Sequence, residues 1–403
     1  MRKVYFDDVY QIHILLYIVI SLTSLFLVLK LCERLGVGER KTGYLIASFF
    51  CIYSLVPFFD LLFDFFPVLP DSGTYSAIIR GEEFEWLPRG YAGFSRIVTF
   101  TGTAIIAARS PFVFISLQIF LYFVSVIQIW KSWLYASDDT KVSGSIARIY
   151  FTLAFMYPAS LLYTTVPLRE SFFLFLFSLF LLGYFKISHN RGGLWLLLTG
   201  LSGLIILRPS FGAIVIALMG LKYVKADLES ILKLSVLGTL ALIASLHFFE
   251  QINYSISVAW IDYVRNMRFE EYTSGLTYGG VAWGGVTDVI SDIPVLTAQF
   301  LFSPLPIVSE ADPFSMKTAL IDCVFIIAVL LIFLVFGLKQ FRGLLLWFGF
   351  MTILLIASAV WEFYLTGAVR HRMPVVMMLL PPASKAVCSF LLFFRVAKRG
   401  CSV

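Results

Sequence analysis

Apolar residues fill the chain in long blocks from residue 11 to residue 394, with short polar or basic gaps between most of them. A helix that crosses a bilayer needs about 20 such residues, with 17 to 25 usual. The pattern therefore predicts spans at 11–30, 43–63, 111–130, 146–164, 170–187, 193–207, 209–223, 232–249, 317–338, 343–361 and 373–394. The pair 193–207 and 209–223 is short for two full spans and also fits a re-entrant hairpin. Segments 97–107 and 294–308 are apolar but shorter still, which reads as half-inserted or interfacial. The expectation is an all-α, polytopic integral membrane helical bundle of about eleven transmembrane helices, occupying residues 1–403 as a single transmembrane domain.

Composition agrees with the pattern. Of 403 residues, 59% are hydrophobic and only 14% charged, against roughly 25% charged in a soluble domain. The mean hydropathy is +0.88. This excludes a cytosolic enzyme, a secreted disulfide scaffold and a disordered chain. The net charge of +6 does not imply a nucleic-acid partner, because the basic residues sit in short gaps between apolar runs. The five cysteines lie in apolar runs or basic flanks, so no disulfide is expected. Residues 11–31 stay apolar too long for a cleaved signal peptide and end near Lys30.

Those basic gaps also predict sidedness. Segments 30–41, 131–148, 186–191, 222–233, 339–342 and 395–399 carry a net charge of +11, and the rest of the chain carries −5. They fall at every second gap, as alternating spans require. The N-terminus is then expected outside, in the periplasm if the host is Gram-negative, and the C-terminus in the cytoplasm. Arg2 and Lys3 argue the other way and are offset by Asp7 and Asp8. The outer side would own two long loops, 64–110 and 250–316, and loops on a rigid scaffold are where function concentrates. The Gly-rich stretch from Gly275 to Gly285 follows no strand, so it is not a nucleotide cradle. It reads as a plain flexible loop or as part of a lid in 250–316.

Polar residues at the outer ends of the spans are the candidate chemistry. Asp71 follows a span that already ends in Asp60 and Asp64, and can handle an acceptor hydroxyl, cap a short helix running through Tyr75 and Ile79, or do both. Arg169, in Pro167-Leu168-Arg169-Glu170, can grip a phosphate, pair with Glu170 or snorkel. Arg208 interrupts a long apolar run and sits at the tip of the hairpin if 193–223 is one, a candidate anion ligand. Arg370-His371-Arg372 is on the wrong side for a positive-inside flank. Its two guanidinium groups fit a diphosphate, and the cations would depress the His371 pKa and keep it available as a base. Lys385 is a further charge inside the last run, and can snorkel. Trp86, Tyr91, Tyr278 and Trp283 are candidates for sugar stacking or interfacial anchoring. The four histidines show no metal-ligand spacing, and no divalent metal or other cofactor is indicated.

The order of these features resembles the bacterial membrane glycosyltransferases of surface-polysaccharide assembly: O-antigen and exopolysaccharide repeat-unit polymerases, and the wider lipid-sugar-dependent transferases of GT-C architecture. The resemblance rests on Asp71 with Tyr75, Pro167-Leu168-Arg169-Glu170 before a Phe/Leu-rich span, Leu207-Arg208-Pro209, Ser303-Pro304-Leu305-Pro306, and Gly367-Ala368-Val369-Arg370-His371-Arg372. It implies sugar transfer from a polyprenyl-(di)phosphate carrier at the outer face, without a nucleotide donor. By similarity Asp71 would handle the acceptor, while Arg169, Arg208, Arg370 and Arg372 would hold the carrier phosphates. The partners implied are membrane lipids, the lipid-linked saccharide donor and acceptor, and other polysaccharide-assembly proteins. GT-C enzymes usually carry the acid after the first span and often a second acid pair. Here Asp71 follows the second span and no second acid stands out, which favours a polymerase over a metal-dependent transferase. A transferase adding one sugar and a lipid-sugar flippase remain open alternatives at this point.

Overall fold

A computed structural model of the chain describes residues 9–37, 39–64, 66, 70–81, 107–137, 143–207, 262–263, 266, 278, 280–306, 313–338, 344–362 and 364–400. The described elements are helices: α1 (Gln11–Leu35), α2 (Arg40–Phe63), α3 (Pro70–Arg80), α4 (Pro111–Ala136), α5 (Gly144–Met156), α6 (Pro158–Thr164), α7 (Glu170–Ser188), α8 (Leu194–Leu207), α9 (Val286–Phe302), α10 (Pro313–Phe336), α11 (Leu345–Trp361), α12 (Leu365–His371) and α13 (Met373–Gly400). Six of them, α1, α2, α4, α7, α10 and α13, are long and apolar enough to cross a membrane. Helices α5 and α6 make a seventh span if taken together, bent by 56°. The expected count of eleven thus becomes six or seven among the described residues. Runs 209–223 and 232–249 lie outside them, and α8 and α11 are apolar but only 14 and 17 residues long. The chain divides into two compact units, Met1–Gly212 and Ala213–Val403.

In the first unit α4 is the interior post: 83% of its apolar window is buried, against 22% for α1 and 28% for α2. Leu15, Leu22 and Phe26 on α1, with Leu55, Phe59 and Leu62 on α2, stand exposed. So large an apolar surface is stable against lipid rather than water. Side-chain pairs give the helix directions. Phe58 meets Phe112 and Phe50 meets Phe123, so α2 runs against α4. Trp130 stacks on Tyr150 and Phe123 on Phe155, so α5 also runs against α4. Phe114 stacks on Phe172, while Ser178 donates to Gln128 at 2.7 Å, so α7 runs with α4. Helix α8 returns along α7 at backbone contact, since a Cβ on Gly200 would lie 2.4 Å from the Phe180 nitrogen.

These directions place Lys30, Arg34, Arg40, Lys41, Lys131, Arg148, Lys186 and Arg191 at one end of the unit. Asp60, Asp64, Arg169 and Glu170 fall at the other. Alternation of the basic gaps, read from the sequence, is thus matched by the three-dimensional pairing of helices in this unit.

The bend between α5 and α6 follows from Pro158. Proline has no N–H to offer the Ala154 carbonyl four residues earlier, and the residue before it, Tyr157, is pushed to extended backbone (φ −64°, ψ 117°). Inside a membrane no water can replace the lost donor. Tyrosines from neighbouring helices supply it: Tyr122 Oη donates to the Ala154 carbonyl at 2.5 Å, and Tyr53 Oη to that of Phe155 at 2.9 Å.

In the second unit Leu296 and Phe300 of α9 pack with Ala359 and Val360 of α11, Ala368 of α12 and Trp283. Phe336 meets Phe390, 5.2 Å between ring centroids, where α10 lies beside α13. Helix α9 starts eight residues earlier than the apolar segment 294–308, because Asp288, Asp292 and Pro294 break up its hydrophobic pattern. Both acids serve the fold: Asp288 accepts from the Gly284 and Gly285 amides (2.7 and 3.1 Å), and Asp292 from Trp283 Nε1 (2.9 Å).

Tyr122→Phe should destabilise the protein by about 0.5–2 kcal/mol, the range for a buried hydrogen bond in a membrane bundle. In a Pro158→Ala background the new amide can reach the Ala154 carbonyl, so the same substitution should cost less. Denaturant unfolding in detergent of the four proteins of this cycle measures the coupling.

Candidate functional site

The expected short helix through Tyr75 and Ile79 forms as α3, but it starts at Pro70, so Asp71 lies half-buried inside the first turn, and Tyr75 follows one turn further on with its ring buried. A carboxylate there complements the positive end of the helix dipole. The C-terminal neighbour of this helix, Gly81 (φ +79°), lies under the Arg109 guanidinium, which keeps α3 at the end of the unit where α4 begins. Arg169 sits at that same end as the residue preceding α7. Its position is set from below, where Gln118 Nε2 donates to the Leu168 carbonyl at 2.6 Å. Arg169 is half-buried, and its Nε has no hydrogen-bond partner among the described residues. Arg208 lies outside the described residues, as do Trp86 and Tyr91.

The second group is the turn from α11 to α13. Helix α11 ends at Glu362, whose Oε1 accepts from the Tyr364 amide at 3.1 Å and whose Oε2 is hydrogen-bonded to His371 Nδ1. Gly367 lies beneath this carboxylate: a Cβ there would come within 2.7 Å of Oε1. Burial pushes the Glu362 carboxyl up, but the His371 and Arg370 charges outweigh it and hold the group below the ordinary carboxylate range. Arg370 is half-buried on the same short helix. An imidazole, a guanidinium and an ionised carboxylate thus share one turn. Such a set can move a proton and hold an anion. The sequence reading gave His371 two cationic neighbours; the structure adds a carboxylate in direct contact.

Arg372 is not part of that group. It is fully buried, 0% exposed, and its side chain faces the protein. Nε and Nη2 donate to Asp322 Oδ2 of α10 at 2.9 and 2.5 Å. Nη1 donates to the carbonyls of Phe300, Leu301 and Ser303 at 3.3, 2.8 and 3.0 Å. Those carbonyls end α9, where backbone acceptors have no intrahelical partner, and a cation there also suits the helix dipole. The expectation that Arg370 and Arg372 grip a diphosphate together is therefore corrected: here Arg372 ties α9, α10 and α12 to one another.

Two aromatic candidates are likewise engaged internally. Trp283 is buried in the core of the second unit. Tyr278 Oη donates to the carbonyls of Gln299 and Leu305 at 2.9 and 3.2 Å, and burial pushes its phenol up to about 12. Among the described residues no group of three His, Cys, Asp or Glu side chains is placed to hold a metal. Two site residues escaped the sequence reading. Glu362 was hidden at the end of the run 343–361, and Asp322 within 317–338. An acid inside a predicted span is a signal in itself, since such charges are costly and therefore paired or functional.

Comparison of the chain with protein-family models, with curated proteins and with solved structures gives no match in any of the three.

Arg372→Ala should lower the amount of folded protein in the membrane and cost about 3–5 kcal/mol, because it removes one partner of a buried ion pair with Asp322. Arg370→Ala should leave abundance and thermal stability near the wild type. Quantitative immunoblotting of membranes with thermal unfolding in detergent separates the two.

Proposed function

We propose that the chain is a glycosyltransferase of GT-C-like helical architecture. In this reading it acts at the outer face of a bacterial cytoplasmic membrane on a polyprenyl-(di)phosphate-linked saccharide, as a repeat-unit polymerase of O-antigen or exopolysaccharide. The observation that carries the reading is the Glu362–His371–Arg370 turn, a proton-handling ring beside a half-buried cation. Asp71, Tyr75 and Arg169 support it, since they share the end of the first unit opposite the basic loops. The positive-inside rule assigns the basic end to the cytoplasm and these residues to the outside.

The chemistry follows from these groups. The acceptor hydroxyl oxygen attacks the anomeric carbon of the donor, forming the new glycosidic bond. The bond from that carbon to the carrier phosphate oxygen breaks, and the carrier leaves as a polyprenyl diphosphate. Either His371 takes the acceptor proton and Arg370, on the same turn, stabilises the negative charge on the leaving group, or Asp71 and Arg169 play those two parts at their end of the first unit.

In nanodiscs supplied with a synthetic polyprenyl-diphosphate oligosaccharide, the wild type should produce a ladder of products. Arg370→Ala should abolish it at normal protein level, and His371→Ala should slow it by at least ~100-fold, the low end of what acid–base catalysis contributes. One product larger by a single unit would instead mark a single-sugar transferase. Movement of substrate across the bilayer with no new glycosidic bond would mark a flippase and overturn the proposal.

A further inference from the structure

The pairing of Glu362 with His371 is too specific to be a membrane-flanking charge cluster. Four features converge on it. The carboxylate closes the C-terminal end of α11 and also accepts from the Tyr364 amide that opens α12, so both helices fix its place. The absent side chain at Gly367 leaves room for the carboxylate: a Cβ there would clash with Oε1 at 2.7 Å and press on Cδ and Oε2 at 3.0 and 3.2 Å. Oε2 reaches Nδ1 of His371 directly. Asp322, the acid that meets the adjacent Arg372, is committed to that guanidinium. Glu362 is thus the carboxylate that this histidine meets.

We propose that Glu362 is a positioning residue for the transfer reaction: it orients the His371 ring and fixes the proton on Nδ1, and Gly367 is the position that admits it. The role rests on the glycosyltransferase reading above, in which His371 exchanges a proton with the acceptor. A carboxylate behind a catalytic imidazole sets its tautomer and stabilises the imidazolium that forms when the ring takes a proton. Glu362 itself neither gains a proton nor touches substrate. The carboxylate is kept ionised chiefly by His371 and the Tyr364 amide, with a smaller contribution from the Arg370 charge.

The test uses the full-length chain in nanodiscs, labelled with ¹⁵N-histidine; the chain has four histidines, so the His371 signals can be assigned by their loss in His371→Gln. The wild type should show a strongly downfield, hydrogen-bonded Nδ1–H at His371. Glu362→Gln should remove that feature without moving His13 or His189. Gly367→Ala should reproduce the effect with Glu362 still present. In the ladder assay Glu362→Gln should lower kcat by roughly 10- to 100-fold at nearly unchanged KM, less than the 10²–10⁴ that acid–base catalysis is worth as a whole. Glu362→Asp should restore part of the loss. In a His371→Gln background, Glu362→Gln should cost nothing further.

An unchanged His371 signal in Glu362→Gln overturns the proposal, and so does a kcat loss that persists in full without His371. A wild type that shows the downfield proton yet transfers no sugar defeats the glycosyltransferase reading, and the positioning role with it, while the ion pair stands as structure. Should Gly367→Ala fail to fold, the Glu362→Gln spectrum decides alone.

Discussion

A chain surrounded by lipid has no water to repair an unpaired carbonyl or an isolated charge, and that constraint organises both units of this protein. Its clearest expression is Arg372. One guanidinium answers both an acid within the apolar helix α10 and three carbonyls at the end of α9. In the first unit the same demand is met by phenols. Pro158 bends a span and frees two carbonyls, and Tyr122 and Tyr53 reach across from other helices to take them. The polar residues of the interior are largely there to balance the backbone.

Against that background the unusual groups are those the backbone does not need. Arg370 and His371 are the last two residues of α12 and directly precede Arg372, so the structural cation holds the turn that presents the candidate chemical ones. Glu362 and Gly367 complete the turn, one by its charge and the other by the space it leaves. In the first unit, packing of α8 onto α7 through Gly183 and Gly200, and of Gln118 under Leu168, fixes the start of α7 and with it Arg169.

The helical, membrane-type architecture was legible from the apolar runs alone, because a continuous block of that length has few other uses. Alternation of the basic gaps was legible too, and the pairing of α1, α2, α4, α5, α7 and α8 follows it. The short α3 was readable from Asp71 and the apolar positions after it. The number of spans was harder to read. A run such as 146–164 has the length of a single helix, yet Pro158 divides it, and 193–207 has the composition of a span without its length. Residue chemistry was least legible where identical types play opposite parts. Arg370 and Arg372 differ by two positions on one turn, yet one is half-buried beside Glu362 and the other fully buried against α9 and α10. Only the location of Asp322, fifty residues earlier, tells them apart. Glu362 was invisible for the same reason: its partner is set by the chain reversing through α12, and no local motif records that reversal.

The account stands most directly on whether a carrier is released when a bond is made. Purified protein in nanodiscs, given a polyprenyl-diphosphate-linked oligosaccharide and no nucleotide sugar, can be followed for free polyprenyl diphosphate and for glycosidic product in the same reaction. The account predicts one carrier freed for each bond formed, at the face opposite the basic loops. Carrier that keeps its saccharide while protein and lipid are intact would contradict it.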